Sequence, residues 1–384
     1  MVIDSTAGPN CGETALVIPV LWLCGPPGVG KTSVAWRIRA RLRQGRVAAA
    51  YVDIDQLGMC YPERDSDRGR HRLKVRNLAS VVANVAARGA TCVVVSGVVD
   101  PVHRVAVPGA VVTLCRLRAD RDELVRRFRT RSGPEESVAG VVADADEMDA
   151  STVADVCVDT TGQAVPEVVS AVMAAVDGWY TVTGAVSPVP VLAPADGPVL
   201  WVSGVPGVGT SMVGYTIFRR TLDAGRAVGY LDLRQIGFGA SDGVDHHLRA
   251  ANVAAVWRAY RDAGAEGLVI VGEISAHEAE VPYVRALPAA TLTVCRLHAD
   301  RADLVRRILP RGERGSWSQP GDPLLGLSAE RLRQAVNRAV TDSEALERAK
   351  IGVRVDSSGR DVAETADAVL AMGAWPLLSG GSGR

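Results

Sequence analysis

The chain has 384 residues, 47% hydrophobic and 22% charged, and its 43 basic residues balance its 43 acidic ones. That length exceeds one ordinary domain and predicts two; the even charge excludes the basic excess that holds a nucleic-acid backbone by counterion release. With neither 18 consecutive apolar residues nor a basic-then-apolar leader, the expectation is a cytoplasmic protein with no membrane partner.

Aromatic residues are 4% of the chain, so Val, Leu and Ala must build the cores. Only Lys31, Lys74 and Lys350 are lysine, the other bases being arginine, which makes each lysine informative. The seven cysteines (Cys11, Cys24, Cys60, Cys92, Cys115, Cys157 and Cys295) form no C-x-x-C pair. Reduced, buried thiols are expected.

Residues 1–19 contain Gly8-Pro9-Asn10 and no periodic apolar pattern, so a loose leader is expected there. An apolar run at 20–24 is followed by a helical stretch at 31–43, an apolar run at 47–52, a helix near 73–88 and a Val-rich run at 92–95. A further strand at 111–116 precedes an Arg-rich helix, and "DVCVDTTG" (155–162) precedes a helix at 164–176. Strands that are apolar throughout, separated by helices, predict a parallel sheet covered on both faces. Residues 20–180 are the expected first domain.

"VTGAVSPVPVLAPADGP" (182–198) carries four prolines and little charge, which predicts an extended linker over 181–198. Beyond it the chain repeats itself. "VAAAYVDIDQLG" (47–58) matches "AVGYLDLRQIG" (227–237), "VTLCRLRADRDELVRR" (112–127) matches "LTVCRLHADRADLVRR" (292–307), and Asn77 matches Asn252. The predicted architecture is α/β: two tandem P-loop domains, 20–180 and 199–378, each a mainly parallel sheet of about five strands with helices on both faces, and a loose tail at 379–384.

Gly25-Pro26-Pro27-Gly28-Val29-Gly30-Lys31-Thr32, followed by Ser33, is a complete G-x-x-x-x-G-K-[ST] between a strand and a helix. Glycines let backbone N–H groups curl around phosphate oxygens, and the helix N-terminus adds a positive dipole end. Lys31 is expected on the β- and γ-phosphates of ATP and the Thr32 hydroxyl on Mg²⁺. A GTP switch would need N-K-x-D, which is absent. An AAA-type motor would need an acidic pair at the end of a strand, where "CVVVSG" has Ser96 and Gly97.

Asp53 and Asp55 end the second strand, at the crevice where the phosphates lie. One carboxylate there can take a proton from an attacking hydroxyl or hold the Mg²⁺ water shell, and its neighbour can grip the acceptor. A helix cap and a solvated carboxylate are the plain alternatives. Arg126, Arg127, Arg129 and Arg131 follow the fourth strand, where an arginine lid would close; Arg127 and Arg131 share one helical face.

Residues 21 to about 131 resemble adenylylsulfate kinase and its relatives among small-molecule P-loop kinases, a group that includes shikimate and gluconate kinases. At the spacing of Lys31 to Asp53 that family has D-G-D-N, and here the chain has D-I-D-Q. Its N-I-R-R helix, apolar strand and S-P-H-R are similar to "RNLASVV", "CVVVSGVV" and "DPVHR" here. The resemblance implies an ATP:hydroxyl phosphotransferase with Asp53 near the transfer site and Asn77 near a small-molecule hydroxyl acceptor. Gly58, Ala79 and Ser80 stand where the family keeps arginines, so adenylylsulfate is not the expected acceptor.

In the second copy Gly204, Gly207 and Gly209 persist with Ser211, but Thr210 replaces the lysine and Arg234 replaces Asp55. A threonine delivers no positive charge, so this copy is expected to be impaired, with a structural or regulatory role. The alternative for the whole chain is an ATP-binding regulatory or interaction protein. The two like domains are expected to pack on each other, and a homodimer is open.

Overall fold

The computed structural model describes residues 17–104, 106–130, 135–182, 193–241, 243–274, 281–312, 322 and 324–378. In chain order the first half runs β1 (Ile18–Cys24), α1 (Lys31–Gln44), β2 (Ala49–Asp53), β3 (Cys60–Tyr61), α2 (His71–Ala87), β4 (Cys92–Ser96) and β5 (Ala110–Arg118). It continues through α3 (Arg121–Thr130), α4 (Val138–Ala150), β6 (Val156–Asp159) and α5 (Val165–Ala175). The second half runs β7 (Gly197–Ser203), α6 (Thr210–Asp223), β8 (Val228–Asp232), α7 (His246–Asp262), β9 (Gly267–Val271), α8 (Val281–Ala286) and β10 (Ala290–His298). It closes with α9 (Arg301–Ile308), α10 (Ala329–Ala349), β11 (Val353–Asp356) and α11 (Val362–Ala371).

The first sheet has the order β2-β4-β1-β5-β6, all parallel. The second repeats it as β11-β10-β7-β9-β8, then adds β3 from the first half as an antiparallel sixth strand. In β1, Leu21 and Leu23 join a core with Val34 and Ile38 of α1 and Val168 and Val172 of α5. Val20, Trp22 and Cys24 point the other way, into a core with Leu78, Val81 and Val85 of α2. That second core continues into the other half through α7, which explains why these strands are apolar at every position rather than at alternate ones.

The halves interlock reciprocally. The Tyr230 N–H donates to the Met59 carbonyl at 2.8 Å, and the Tyr51 N–H donates to the Phe238 carbonyl at 3.0 Å. Tyr51 and Tyr230 hold matching places in the two sheets, so each half sends the segment after its second strand to the open edge of the other sheet. Around this exchange, Asn84 donates to Asn252 at 2.9 Å, Arg64 donates to the Asp262 carbonyl at 3.1 Å, and Arg76 pairs with Asp262. Arg39, 7% exposed, donates to the Gly239 carbonyl at 2.8 Å and the Ala49 carbonyl at 3.2 Å.

The sheets extend past the expected limits. β1 starts at Ile18, inside the predicted leader, and β7 starts at Gly197, inside the predicted linker, because register with β5 and β10 adds pairs there. Linker residues 183–192 and the tail 379–384 lie outside the described residues. Helices α4 and α10 are additions to the elements that the sequence pattern predicts. Five of the cysteines are buried, and burial pushes Cys24, Cys60, Cys92 and Cys115 up to about 12. Cys157 is exposed, against expectation. Among the described residues no helix is long and apolar enough to cross a membrane.

Gly229 of β8 sits opposite Cys60 of the exchanged strand, and a Cβ there would lie 2.4 Å from the Tyr260 ring. Gly140 of α4 has nothing within 4 Å of that position. We expect Gly229→Ala to destabilise by about 1–3 kcal/mol through overpacking and Gly140→Ala to stabilise by roughly 0.5–1 kcal/mol through helix propensity. Urea denaturation midpoints of the two variants check both signs.

Candidate functional site

The strand-to-helix turn after β1 is held in a left-handed path that only glycine takes without strain: Gly25 has φ 136° and Gly30 has φ 100°. A Cβ on Gly25 would stand 2.3 Å from the Leu117 carbonyl oxygen, so the loop lies directly on β5. Gly30 caps α1, whose first turn carries no acidic residue, leaving the helix N-terminus open to an anion. Lys31 Nζ donates to the Gly25 and Pro26 carbonyls at 2.7 and 2.9 Å. An arriving phosphate would compete with those carbonyls for the ammonium.

Asp53 ends β2 in register with Ser96 of β4, at the carboxyl edge of the parallel sheet. Its Oδ1 accepts the Asp55 N–H at 3.0 Å. Burial, with the negative charge of Asp55 adding to it, pushes the Asp53 carboxyl up to about 7, and Lys31 acts against that rise. Thr32 reaches the Tyr51 hydroxyl, which also shares a hydrogen bond with Ser96 at 2.8 Å. Lys31, Thr32, Asp53 and Asp55 are therefore brought to one place.

Asp55 has a partner to which the sequence pattern gives no role. Lys74 Nζ donates to Asp55 Oδ1 at 3.0 Å, and the lysine side chain is 5% exposed against 45% for the carboxylate. Its stem lies over Gly58, where a Cβ would meet Lys74 Cε at 2.6 Å. The rarity of lysine is the available signal, and the missing side chain at Gly58 is what makes room for it.

Two expected site residues have other roles here. Asn77 does not reach an acceptor: it is 0% exposed and donates to the Leu57 carbonyl at 2.7 Å, bracing the turn that carries Asp55. Arg127 is a strut between loops rather than an open lid group. Its Nε donates to Glu123 at 2.8 Å, Nη1 to Thr160 Oγ1 at 2.9 Å and the Val29 carbonyl at 3.5 Å, and Nη2 to the Thr160 carbonyl at 2.7 Å. Arg126 is exposed and pairs with Glu123 at 2.7 Å. Arg131 lies outside the described residues.

Residues 21–150 match the family model described as an AAA domain. The matched stretch contains the glycine loop, Lys31, Asp53 and Asp55. No curated protein matches the chain. Among solved structures, the chain is similar to the tunicamycin resistance protein of Deinococcus radiodurans, with 20% identity over 44% of this chain and 99% of that one and a TM-score of 0.32. The APS kinase of Mycobacterium tuberculosis, solved with AMPPNP and APS, shares 21% identity over 47% and 98%, TM-score 0.32. A gluconokinase from Sinorhizobium meliloti shares 19% over 46% and 90%, TM-score 0.30. These likenesses span less than half of the chain at low TM-scores, and the chemistry of the site is carried by its own geometry. In the P-loop domain β4 ends at Ser96, without the acidic pair of a motor.

The second loop copies the backbone of the first: Gly204, Gly207 and Gly209 have φ 150°, 85° and 101°, and α6 opens at Thr210. Arg307 repeats the strut, donating to the Val208 and Ser357 carbonyls, both at 2.9 Å. The polar groups differ. Arg234 donates to Asp232 through Nε at 3.0 Å and Nη2 at 2.6 Å, and through Nη2 to Ser211 Oγ at 2.6 Å.

Asn77→Ala removes the partner of a buried carbonyl. The expected loss is about 1–3 kcal/mol of stability, read as a lowered denaturation midpoint, with any nucleotide bound at the first loop retained in the folded fraction.

Proposed function

We propose that the N-terminal half transfers the γ-phosphoryl group of ATP, with Mg²⁺, to a hydroxyl of a small-molecule metabolite. The observation that carries this reading is the convergence of the glycine loop, Lys31 and Thr32 with the Asp53–Asp55 turn at one edge of a parallel sheet.

The groups present suit both ligands. A triphosphate fits a loop whose glycines keep backbone N–H groups unobstructed and whose lysine is held by loop carbonyls that a phosphate can replace. Among the described residues no cluster of three or more His, Cys, Asp or Glu could hold a metal ion. Mg²⁺ needs no such cluster, since it keeps its waters and takes one or two protein ligands plus phosphates. The Thr32 hydroxyl would hold it directly and Asp53 through water. Bound there, the ion would neutralise charge on the phosphate oxygens.

The chain's own residues do the rest. Lys31 exchanges its two carbonyl partners for phosphate oxygens and stabilises the transferring group. Asp55, oriented by Lys74, holds the acceptor hydroxyl. Asp53 Oδ2, opposite the oxygen that binds the Asp55 N–H, accepts the hydroxyl proton. Asn77 and Arg127 position the turn and the loop. The C-terminal half, with Thr210 and Arg234 in place of lysine and aspartate, has a structural or regulatory role.

Lys31→Ala should lower ATP turnover by about 10²-fold or more, while Thr210→Ala leaves it within about twofold. Asp53→Asn should lower turnover by roughly 10²-fold with the fold intact by circular dichroism. The deciding experiment is a transfer screen of the purified chain with labelled ATP against a metabolite pool. Label in one hydroxyl-bearing product supports the kinase. Slow hydrolysis with no acceptor overturns it in favour of an ATP-binding regulator.

A further inference from the structure

A cavity of about 1220 Å³ opens in the C-terminal half, and its floor is the second loop, Val205 to Val213. Three features set it apart from the N-terminal site. First, it is composite: Gln56, Met59 and Tyr61 of the N-terminal half form part of its wall, carried there by the exchanged strand. Second, it is larger than a phosphate group needs and exceeds the roughly 300–1,000 Å³ of ordinary small-molecule clefts, which leaves room for a nucleotide. Third, the positive charge missing from position 210 is supplied from elsewhere in the fold.

Arg234 is the source. Arg234 lines the cavity with a side chain that is 29% exposed, while that of its partner Asp232 is 1% exposed. In the P-loop domain the groups suited to Mg²⁺ are Thr32 and Asp53. Their counterparts Ser211 and Asp232 are both hydrogen-bonded to Arg234, at 2.6 Å from a single nitrogen in each case. The guanidinium therefore stands where a metal ion would stand, and it is fixed there by a fork that a lysine could not form. Arg306, paired with Asp303 at 2.6 Å, and Arg360 also line the cavity, beside Asp361 and Glu364, whose carboxylates accept each other's backbone N–H, and Arg307 ties the loop to Ser357. Glu273, a carboxylate on the lining, is held towards its neutral form chiefly by burial. The backbone cradle, the helix N-terminus of α6 and a fixed cation converge on one cavity.

We propose that the C-terminal half binds a nucleoside polyphosphate without a metal ion, Arg234 serving in place of both the loop lysine and Mg²⁺. The shared chemistry is the polyphosphate anion, and the cavity's size selects the nucleoside form over free pyrophosphate.

The test uses the full-length Lys31→Ala chain, so that phosphoryl transfer plays no part and a failure of the kinase reading leaves the result unaffected. The protein is titrated calorimetrically with ADP in EDTA, then with Mg²⁺ restored, then with pyrophosphate. The expected result is one ADP per chain in EDTA, an affinity within about twofold when Mg²⁺ is restored, and pyrophosphate binding at least tenfold weaker. Replacing Arg234 alone would leave Asp232 buried without its partner and endanger folding. The paired change Asp232→Asn with Arg234→Gln keeps a hydrogen-bonding pair while removing both charges. Loss of the carboxylate by itself favours an anion, so a fall of tenfold or more in ADP affinity, at an unchanged melting temperature, assigns the site to the arginine. Binding that needs Mg²⁺, no binding in EDTA, or full affinity in the folded double variant overturns the proposal. Pyrophosphate binding as tight as ADP overturns the nucleoside assignment.

Discussion

An open edge strand must be covered, and in this protein each half covers the other's. The paired hydrogen bonds from Tyr230 to Met59 and from Tyr51 to Phe238 are short, buried beside aromatic rings, and equivalent under exchange of the halves. Leaving either edge bare would expose unpaired main-chain groups and invite pairing with another chain. Each such bond contributes about 0.5–1.5 kcal/mol net. The larger effect is geometric, because the exchange fixes α2 against α7 and makes one core continuous through both halves.

The same exchange ties the two candidate sites together. The turn that holds Asp53 and Asp55 runs on within a few residues to Met59 and Tyr61, which wall the C-terminal cavity. Asn77 braces that turn from below through the Leu57 carbonyl, and Lys74 fixes its outer carboxylate. Asn252 braces the matching turn through the Ile236 carbonyl at 2.6 Å, and its Oδ1 accepts a hydrogen bond from Asn84 across the interface. Among the described residues the matching Oδ1 of Asn77 has no hydrogen-bond partner. The two turns thus share a scaffold while differing in charge.

That difference is concentrated in a few substitutions. In the N-terminal half a lysine on the loop faces Asp53 at the strand end and Asp55 in the turn after it; in the C-terminal half the loop is neutral and the same two places hold Asp232 and Arg234. The cation thus moves from the loop to the turn after the strand, where it bonds both Ser211 and Asp232. The arginine struts, Arg127 and Arg307, are the same in both halves because they serve the backbone of the loop rather than its chemistry.

The phosphate loop, the order of strands and helices, the repeat of the whole unit and the position of the carboxylate pair are legible in the residues alone. They answer local requirements: glycine at positive φ, apolar runs for strands buried on both faces, and fixed spacing along one strand and one turn. Other features exist only in the folded chain. That Lys74 grips Asp55, that Asn77 is sealed in the core, that Arg127 braces rather than closes, and that Arg234 binds Ser211 all depend on which side chains meet from distant segments. So does the exchange of edges, since β3 is two residues long and carries no periodic signal. A strand that short exists only because the edge of β8 offers it hydrogen-bond partners, and nothing in its own residues can announce that.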